Sequence, residues 1–468
     1  MLKRLLFCGL AVISFSGCEN KATQNDKWHL FGENGVNIKA AWQQSLGSSD
    51  VTIAVIDSGF LPDNPAFSQG MCSAKTEYIN FIKTNPVLSD NHGAKVSSLI
   101  YDCDSNPYGL EGINKYSTVL WLQNGNIGSS AELFQWAAGQ EVCSQAKYLQ
   151  CSFTNNEPAD VINASFGNSV QHPLGSTIIR KLSSDAIQYI NAHKSILVAA
   201  AGNEHMNAGI SFPSSLAGVI SAGATTKEGL AAGFSNWGET VEIMAPGEDI
   251  AVADLSGWSL ESGTSFSAPI ITAIISLMRA VYPDLNWKSA VYFLQSTAIP
   301  MNCNSYCSSN YSFSDRLRCR RDCCVNDQQT CTPGRVDAGA AVAAARNAQE
   351  NGLAIAVPVA LVDSDTYLVS LQKTASTGPL SQGTFTLTNV GGASGAYHLS
   401  SPDGKLNFDN TDIMLLPGNT ATITVTTTAP FSSTDEAQIR IASPQSGVVN
   451  SFSDELVIYA QQSADATL

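Results

Sequence analysis

Val51-Thr52-Ile53-Ala54-Val55-Ile56-Asp57-Ser58-Gly59 is the stretch from which the fold is read. It is an apolar, β-branched run without alternation, as expected of a strand buried on both faces, and it breaks off at a carboxylate and a glycine turn. Ile196 to Ala201 ends in the same abrupt way at Gly202 and Asn203. Helical patterns lie between such strands, as in Ala131 to Val142 and Ile178 to Ala192. The expected fold class is therefore α/β, a three-layer domain built on a parallel sheet. In open sheets of this kind, sites gather at the C-terminal ends of the strands.

Beyond an Ala-rich helix at about Ala338 to Ala348 the composition shifts to Thr, Ser, Gly and Val. Strand patterns recur there with turn signals between them, at Gly383 to Asn389, Thr420 to Thr428 and Ala437 to Ala442. They predict a β-sandwich domain over 352–468. Its segments Thr384 to Gly391 and Leu416 to Val425 resemble fibronectin type III-like domains that trail many secreted proteases.

At the other end, Lys3 and Arg4 precede a mostly apolar run from Leu5 to Phe15, followed by Ser16, Gly17 and Cys18. The run is too short to span a bilayer and reads as a signal peptide. Small residues before a cysteine resemble the bacterial lipoprotein box, so 1–17 is expected to be removed and Cys18 to carry a diacylglycerol. An ordinary secretory signal with a chance cysteine is the other reading. Several acyl chains, at about 0.8 kcal/mol per buried CH₂, would hold the protein on a membrane almost permanently. Residues 18–27 then form a polar tether. Glu19, in place of the Asp typical of inner-membrane retention, favours the outer membrane or cell surface.

The 468 residues are 44% hydrophobic and 14% charged, a globular composition, with a formal net charge of -15. That charge argues against nucleic acid as a partner, because phosphate binding needs clustered Lys and Arg. Export favours disulfides over free thiols. Without Cys8 and Cys18, ten of the 12 cysteines remain, an even number that suits full pairing. Six fall between Cys303 and Cys331, a spacing that also invites a zinc reading, although no histidine lies in the segment.

Three short segments carry the chemistry. Asp57 ends its strand, His92 in Asn91-His92-Gly93 stands at the mouth of a helical pattern, and Ser265 lies in Gly263-Thr264-Ser265-Phe266-Ser267-Ala268-Pro269 ahead of another. Pro269 is expected in the first helical turn, where its missing N–H costs nothing. Taken singly these are a turn aspartate, a structural histidine and a helix N-cap serine. Together, in the order Asp, His, Ser and each beside a glycine, they form the arrangement of nucleophilic catalysis found in subtilisin. The sequence resembles the subtilisin-like serine proteases (subtilases) from Trp28 to about Ala348. Val161-Ile162-Asn163, Ser165-Phe166-Gly167, Ala199 to Glu204, Phe234 to Gly238 and Ala245-Pro246-Gly247 carry further matches.

The resemblance implies a peptidase domain over 28–348 with a Cys-rich insertion at 303–331. A serine hydroxyl needs a base poised near neutral pH, the role implied for His92, held in one tautomer by Asp57. Asn203 and the backbone N–H of Ser265 are implied as oxyanion donors. A substrate strand is expected to pair along Ser165, Phe166 and Gly167, facing Ala200, Ala201 and Gly202 across the first specificity pocket. Phe166 stands for a more usual Leu and Phe266 for a more usual Met. After His92 the family usually has Thr, a second His, then Ala and Gly, where this chain has Ala94, Lys95, Ser97 and Ser98. Only 19–27 separates Cys18 from Trp28, so folding is expected to proceed without the propeptide many subtilases carry. Expected disulfides include Cys72 with Cys103, Cys143 with Cys151, and Cys303 with Cys331, the four cysteines between the last two forming an added knob. No cofactor or metal is needed for the chemistry, and a structural calcium is left open with no residues assigned to it. The leading function is an exported endopeptidase acting on proteins or peptides. A catalytically weak, surface-binding lipoprotein and an acyl or ester transferase on the same triad are the alternatives.

Overall fold

A computed structural model describes residues 21–60, 76–80, 91–101, 108–123, 130–140, 158–169, 186–187, 189–191, 193–307 apart from 217, 239 and 256, a few positions within 308–333, and 334–351. In the C-terminal part it describes 360–363, 368–373, 380–389, 395–416, 419–432, 436–444 and 453–462. The helices used below are α1 (Trp28–Phe31), α2 (Ile38–Gln44), α3 (His92–Ile100), α4 (Ser130–Ala137), α5 (Thr264–Val281), α6 (Trp287–Ser296) and α7 (Ala338–Glu350). The strands are β1 (Thr52–Asp57), β2 (Thr76–Asn80), β3 (Thr118–Gln123), β4 (Val161–Ala164), β5 (Ile196–Ala200), β6 (Val219–Thr225), β7 (Ile243–Pro246), β8 (Ile250–Asp254) and β9 (Gly257–Glu261).

Among the described residues, β1 to β7 form one parallel sheet in the order β2-β3-β1-β4-β5-β6-β7. The unbroken apolar run of β1 follows from its having two buried faces. Ile53 and Val55 enter one core, with Trp28, Leu99 and the buried face of α5, while Ala54 and Ile56 enter the other, with Leu133, Phe134 and Ile187. A side chain buried this fully contributes about 1.5–3 kcal/mol relative to exposure. Helix α5 lies across β4 to β7 and also touches α3 and α7. It is apolar and long enough to cross a bilayer by composition alone, but 83% of it is buried inside the domain, so it is a core helix.

Two helical expectations are corrected. The pattern from Ala131 to Val142 forms a helix only to Ala137. Gly139, at φ 90, takes the left-handed conformation that ends a helix, and its N–H returns to the carbonyl of Trp136. Pro269 lies inside α5, beyond its first turn.

Eight described strands of the C-terminal part join in one path, and a ninth, Ala360–Asp363, pairs with Ser381–Asn389 off it. The strand Leu368–Lys373 pairs in parallel with Ser453–Gln462 over Leu368 to Leu371, then antiparallel with Ser381–Asn389 over Gln372 and Lys373. It passes in this way from one sheet to a second. Phe385, Leu387, Ile423 and Val425 from one sheet share a core with Tyr397, Leu399, Ile439 and Ile441 from the other, which is the packing of a β-sandwich.

Candidate active site

Asp57 is the last residue of β1 and is 3% exposed. Its Oδ1 accepts from the Ser58 N–H at 2.7 Å and lies 2.7 Å from Nδ1 of His92. An ionised carboxylate can only accept, so Nδ1 carries the proton and Nε2 keeps its lone pair. His92 opens α3, whose first N–H groups reach back to the turn after Asp57: Gly93 N–H donates to the Ser58 carbonyl at 2.6 Å and Ala94 N–H to that of Gly59 at 3.3 Å. A Cβ at Gly93 would stand 2.6 Å from the Ser58 oxygen and 2.9 Å from the Phe60 ring, so this approach requires glycine. The Phe266 ring packs 5.9 Å from that of His92.

Ser265 is the second residue of α5. Its Oγ donates to the Ser165 carbonyl at 3.0 Å, and its own carbonyl accepts from Ser165 Oγ at 2.8 Å. The second contact follows from Pro269. Four residues after Ser265, it has no N–H to offer the Ser265 carbonyl, and Ser165 supplies the missing donor. Ser165 Oγ is held in turn by Asn163 Nδ2 at 3.0 Å, and Asn163 Oδ1 accepts from Thr272 of α5 at 3.0 Å. Ser165, quoted above for its backbone, thus also supports the Ser265 turn with its side chain.

Asn203 follows β5 on an exposed loop. Its Oδ1 accepts from the N–H of Thr264 at 2.8 Å and from that residue's hydroxyl at 2.9 Å. With the oxygen engaged on that side, Nδ2 is the amide's free donor face. A point one bond above the Cα of Gly263 lies 3.6 Å from Asn203 Nδ2 and 3.7 Å from the backbone nitrogen of Ser265. Asn203 Nδ2 and the Ser265 nitrogen thus border one small volume above Gly263.

The Asn203 loop is organised by Asn236, a buried residue to which the sequence alone assigned no role. Its Oδ1 accepts from Glu204 N–H at 3.0 Å and Met206 N–H at 3.1 Å. Its Nδ2 donates to Ala201 O at 3.1 Å, Glu204 Oε2 at 2.7 Å and Ser211 Oγ at 3.0 Å. Gly202, at φ 105, admits this amide, since a Cβ there would come within 2.3 Å of Nδ2. The only sequence signal was the matched block Phe234 to Gly238.

Pairing of β4 with β5 stops at Ala164 and Ala199. Ser165, Phe166 and Gly167 continue from β4, while Ala200 and Ala201 turn to Ala222 of β6. The two segments end beside Ser265 and Asn203 at the C-terminal edge of the sheet. The Phe166 ring stacks on Phe134 at 6.1 Å. Among the described residues no three His, Cys, Asp or Glu side chains are grouped to hold a metal. Cys18, Cys72, Cys103, Cys143, Cys151 and Cys331 lie outside the described residues, as does the side chain of Cys303. Within the Cys-rich insertion, Cys307 and Cys319 form a disulfide that packs with Tyr306 and Met301 against Trp237 and Met244.

The sequence model of the subtilase family (peptidase S8) matches residues 48–352. An extracellular protease of Xanthomonas campestris is 26% identical over 338 residues, covering 63% of this chain and 56% of that protein. Halolysin of Haloferax mediterranei is 29% identical over 288 residues, covering 58% of this chain and 49% of its own length. The chain thus spans about half the length of these curated relatives. Among solved structures, a protease from Pseudoalteromonas arctica PAMC 21717 superposes with a TM-score of 0.53 at 22% identity, over 70% of this chain and 99% of that one, a likeness of fold.

Proposed function

The chain belongs to the subtilase family, and from this premise we propose that it is a secreted serine endopeptidase working through Asp57, His92 and Ser265. The observation that carries the reading is the 2.7 Å contact of His92 Nδ1 with the buried Asp57, at the sheet edge where Ser265 and its two donors converge. As a substrate strand pairs along Ser165 to Gly167, the Ser265 hydroxyl turns from the Ser165 carbonyl towards His92. Nε2 takes the proton, Oγ bonds to the scissile carbon, and the oxyanion is held by Asn203 Nδ2 and Ser265 N–H. The imidazolium, steadied by Asp57, returns its proton to the leaving amine as the C–N bond breaks and an acyl-enzyme remains. Water, activated by the same nitrogen, then releases the acid. Proteins and peptides are the substrates, bound mainly through their backbone by Ser165, Phe166 and Gly167 on one side and Ala200, Ala201 and Gly202 on the other.

A fluorophosphonate probe tests the assignment. Ser265→Ala should not be labelled and should fall to background turnover. Asn203→Leu should be labelled slowly and lose about 10²–10³ in kcat with KM nearly unchanged, the cost measured for one such donor in subtilisin itself. Equal labelling of the two variants would place the nucleophile elsewhere.

The whole protein is read as a lipoprotein with a signal at 1–17, a tether at 18–27, the peptidase domain at 28–348 and a sandwich domain at 352–468. The small residues before Cys18 support an anchor on the outer membrane or cell surface. Cys18→Ser should move activity from the membrane pellet to the soluble fraction; an active mutant that stays in the pellet would refute the anchor.

A further inference from the structure

Helix α3 is tied on one side to the turn after Asp57 through the backbone of Gly93 and Ala94. Its other side is tied by side chains to the hairpin of β8 and β9. Asn91, immediately before His92, donates from Nδ2 to Asp254 Oδ1. Lys95, one turn after His92, bonds through Nζ to Glu261 and lies 3.8 Å from Asp254 Oδ2. Ser98 accepts from the Ala253 N–H at 3.0 Å while donating to the Lys95 carbonyl at 2.7 Å. Lys95 and Ser98 are among the residues that depart from the usual subtilase pattern after the histidine.

The hairpin is more than a neighbour. Strand β9 ends at Glu261, and Ser262, Gly263 and Thr264 lead directly into Ser265. Gly263 N–H is fixed to the Gly247 carbonyl at 2.8 Å, so a shift of β9 is passed along a short, tethered link to the nucleophile. Glu261 is further held by Ser259 Oγ at 3.1 Å. Burial alone would raise the pKa of Asp254. The Leu255 N–H, Ser259, Lys95 and Asn91 outweigh it and hold that carboxyl below its ordinary range. Lys95 is only 16% exposed, so the contact is better shielded from salt than a surface ion pair.

We propose that Asn91, Lys95, Asp254 and Glu261 form a polar clamp that fixes His92 against Ser265, with Lys95 as its central positioning residue. The proposal rests on the triad reading above. Asp57 and the Ser58 turn set the carboxylate-imidazole contact, and the clamp sets the separation of base and nucleophile. A misplacement of about 1 Å at such a centre can cost about 10²-fold.

The test uses the full chain and measures the rate of fluorophosphonate labelling together with kcat and KM on a chromogenic peptide. Lys95→Met should lower labelling and kcat in parallel, by about tenfold, with KM unchanged. Lys95→Arg, which keeps the charge and the donors, should recover most of the loss. Lys95→Met combined with Glu261→Gln should be no slower than Lys95→Met alone, because both remove one contact. Labelling of Lys95→Met at the wild-type rate, a change confined to KM, or multiplicative losses in the double variant would each overturn the clamp. If Lys95→Met does not fold, Glu261→Gln carries the test: slower labelling at unchanged KM supports the clamp, and wild-type labelling overturns it. Failure of the triad reading is seen separately, as labelling of Ser265→Ala.

Discussion

Pro269 removes one hydrogen bond from α5, and the position of Ser165 is intelligible only from that loss. In an uninterrupted helix the N–H of residue 269 would bond to the Ser265 carbonyl; here Ser165 Oγ does so at 2.8 Å. The Ser265 backbone is thereby fastened to the end of β4, on which the substrate strand is proposed to pair. Ser165→Ala would leave the Ser265 carbonyl and Asn163 Nδ2 without this partner, at a cost of about 1–3 kcal/mol per buried group. It should lower the melting temperature and slow labelling of Ser265. Adding Pro269→Ala restores an N–H in register with the Ser265 carbonyl, so the double variant should melt above Ser165→Ala. A double variant less stable than Ser165→Ala would show that the proline plays no part in this exchange.

At the scale of elements, the strand ends and helices α5 and α7 were legible in the sequence, and the contacts between them were not; most of the pattern from Ile178 to Ala192 lies outside the described residues. The apolar run before Asp57, the break after Ala200 and the Ala-rich α7 are local patterns, and each forms within a few residues of where composition places it. Helix α4 stops at Ala137 because the conformation of Gly139 outweighs an apolar periodicity that runs on to Val142. The role of Asn236 is not local in sequence. Its partners lie 25 to 35 residues away in sequence, so no window around it reveals that its amide organises the loop bearing Asn203. Asn236→Ala removes hydrogen bonds from both faces of that loop. It should lower kcat towards the Asn203→Leu level while the Ser265→Ala background stays where it was. Asn236→Asp keeps the two accepted N–H bonds and loses the donors, so its kcat should fall between wild type and Asn236→Ala. Wild-type kcat in Asn236→Ala would separate the loop's order from catalysis. The insertion reinforces the same region from outside, since Tyr306 Oη accepts from Gly238 N–H at 3.1 Å and Ser305 O from Ala231 N–H at 2.8 Å.

Over the whole molecule, two titratable groups, the buried His29 and the half-buried Glu242, set opposite limits to the pH range of the fold. Burial, then the charge of Lys27, pushes the pKa of His29 down from 6.5 to about 3, while burial pushes that of Glu242 up from 4.5 to about 8. Unfolded, His29 takes a proton below its ordinary pKa; folded, it refuses one until about pH 3. Between those values the unfolded chain binds more protons, so stability falls as the pH drops. For Glu242 the sign reverses: the folded carboxyl keeps its proton up to about pH 8, and stability falls as the pH rises from 4.5 through that value. His29 sits in α1 beside Trp28, whose indole N–H donates to the carbonyls of Glu248 and Asp249 at 3.2 and 3.1 Å. Asp249 N–H in turn donates to Ser262 Oγ at 3.0 Å, three residues before Ser265. Charging His29 would therefore loosen the segment that braces the approach to Ser265. His29 Nδ1 has no hydrogen-bond partner among the described residues, so His29→Leu gives up no bond at that atom. In His29→Leu, the decline of melting temperature between pH 6.5 and 4 should be shallower than in wild type, and activity should survive brief acid exposure better. Glu242→Gln should leave that acid limb unchanged and flatten the alkaline one. An acid limb of the same slope in His29→Leu and wild type would show that other groups control acid unfolding.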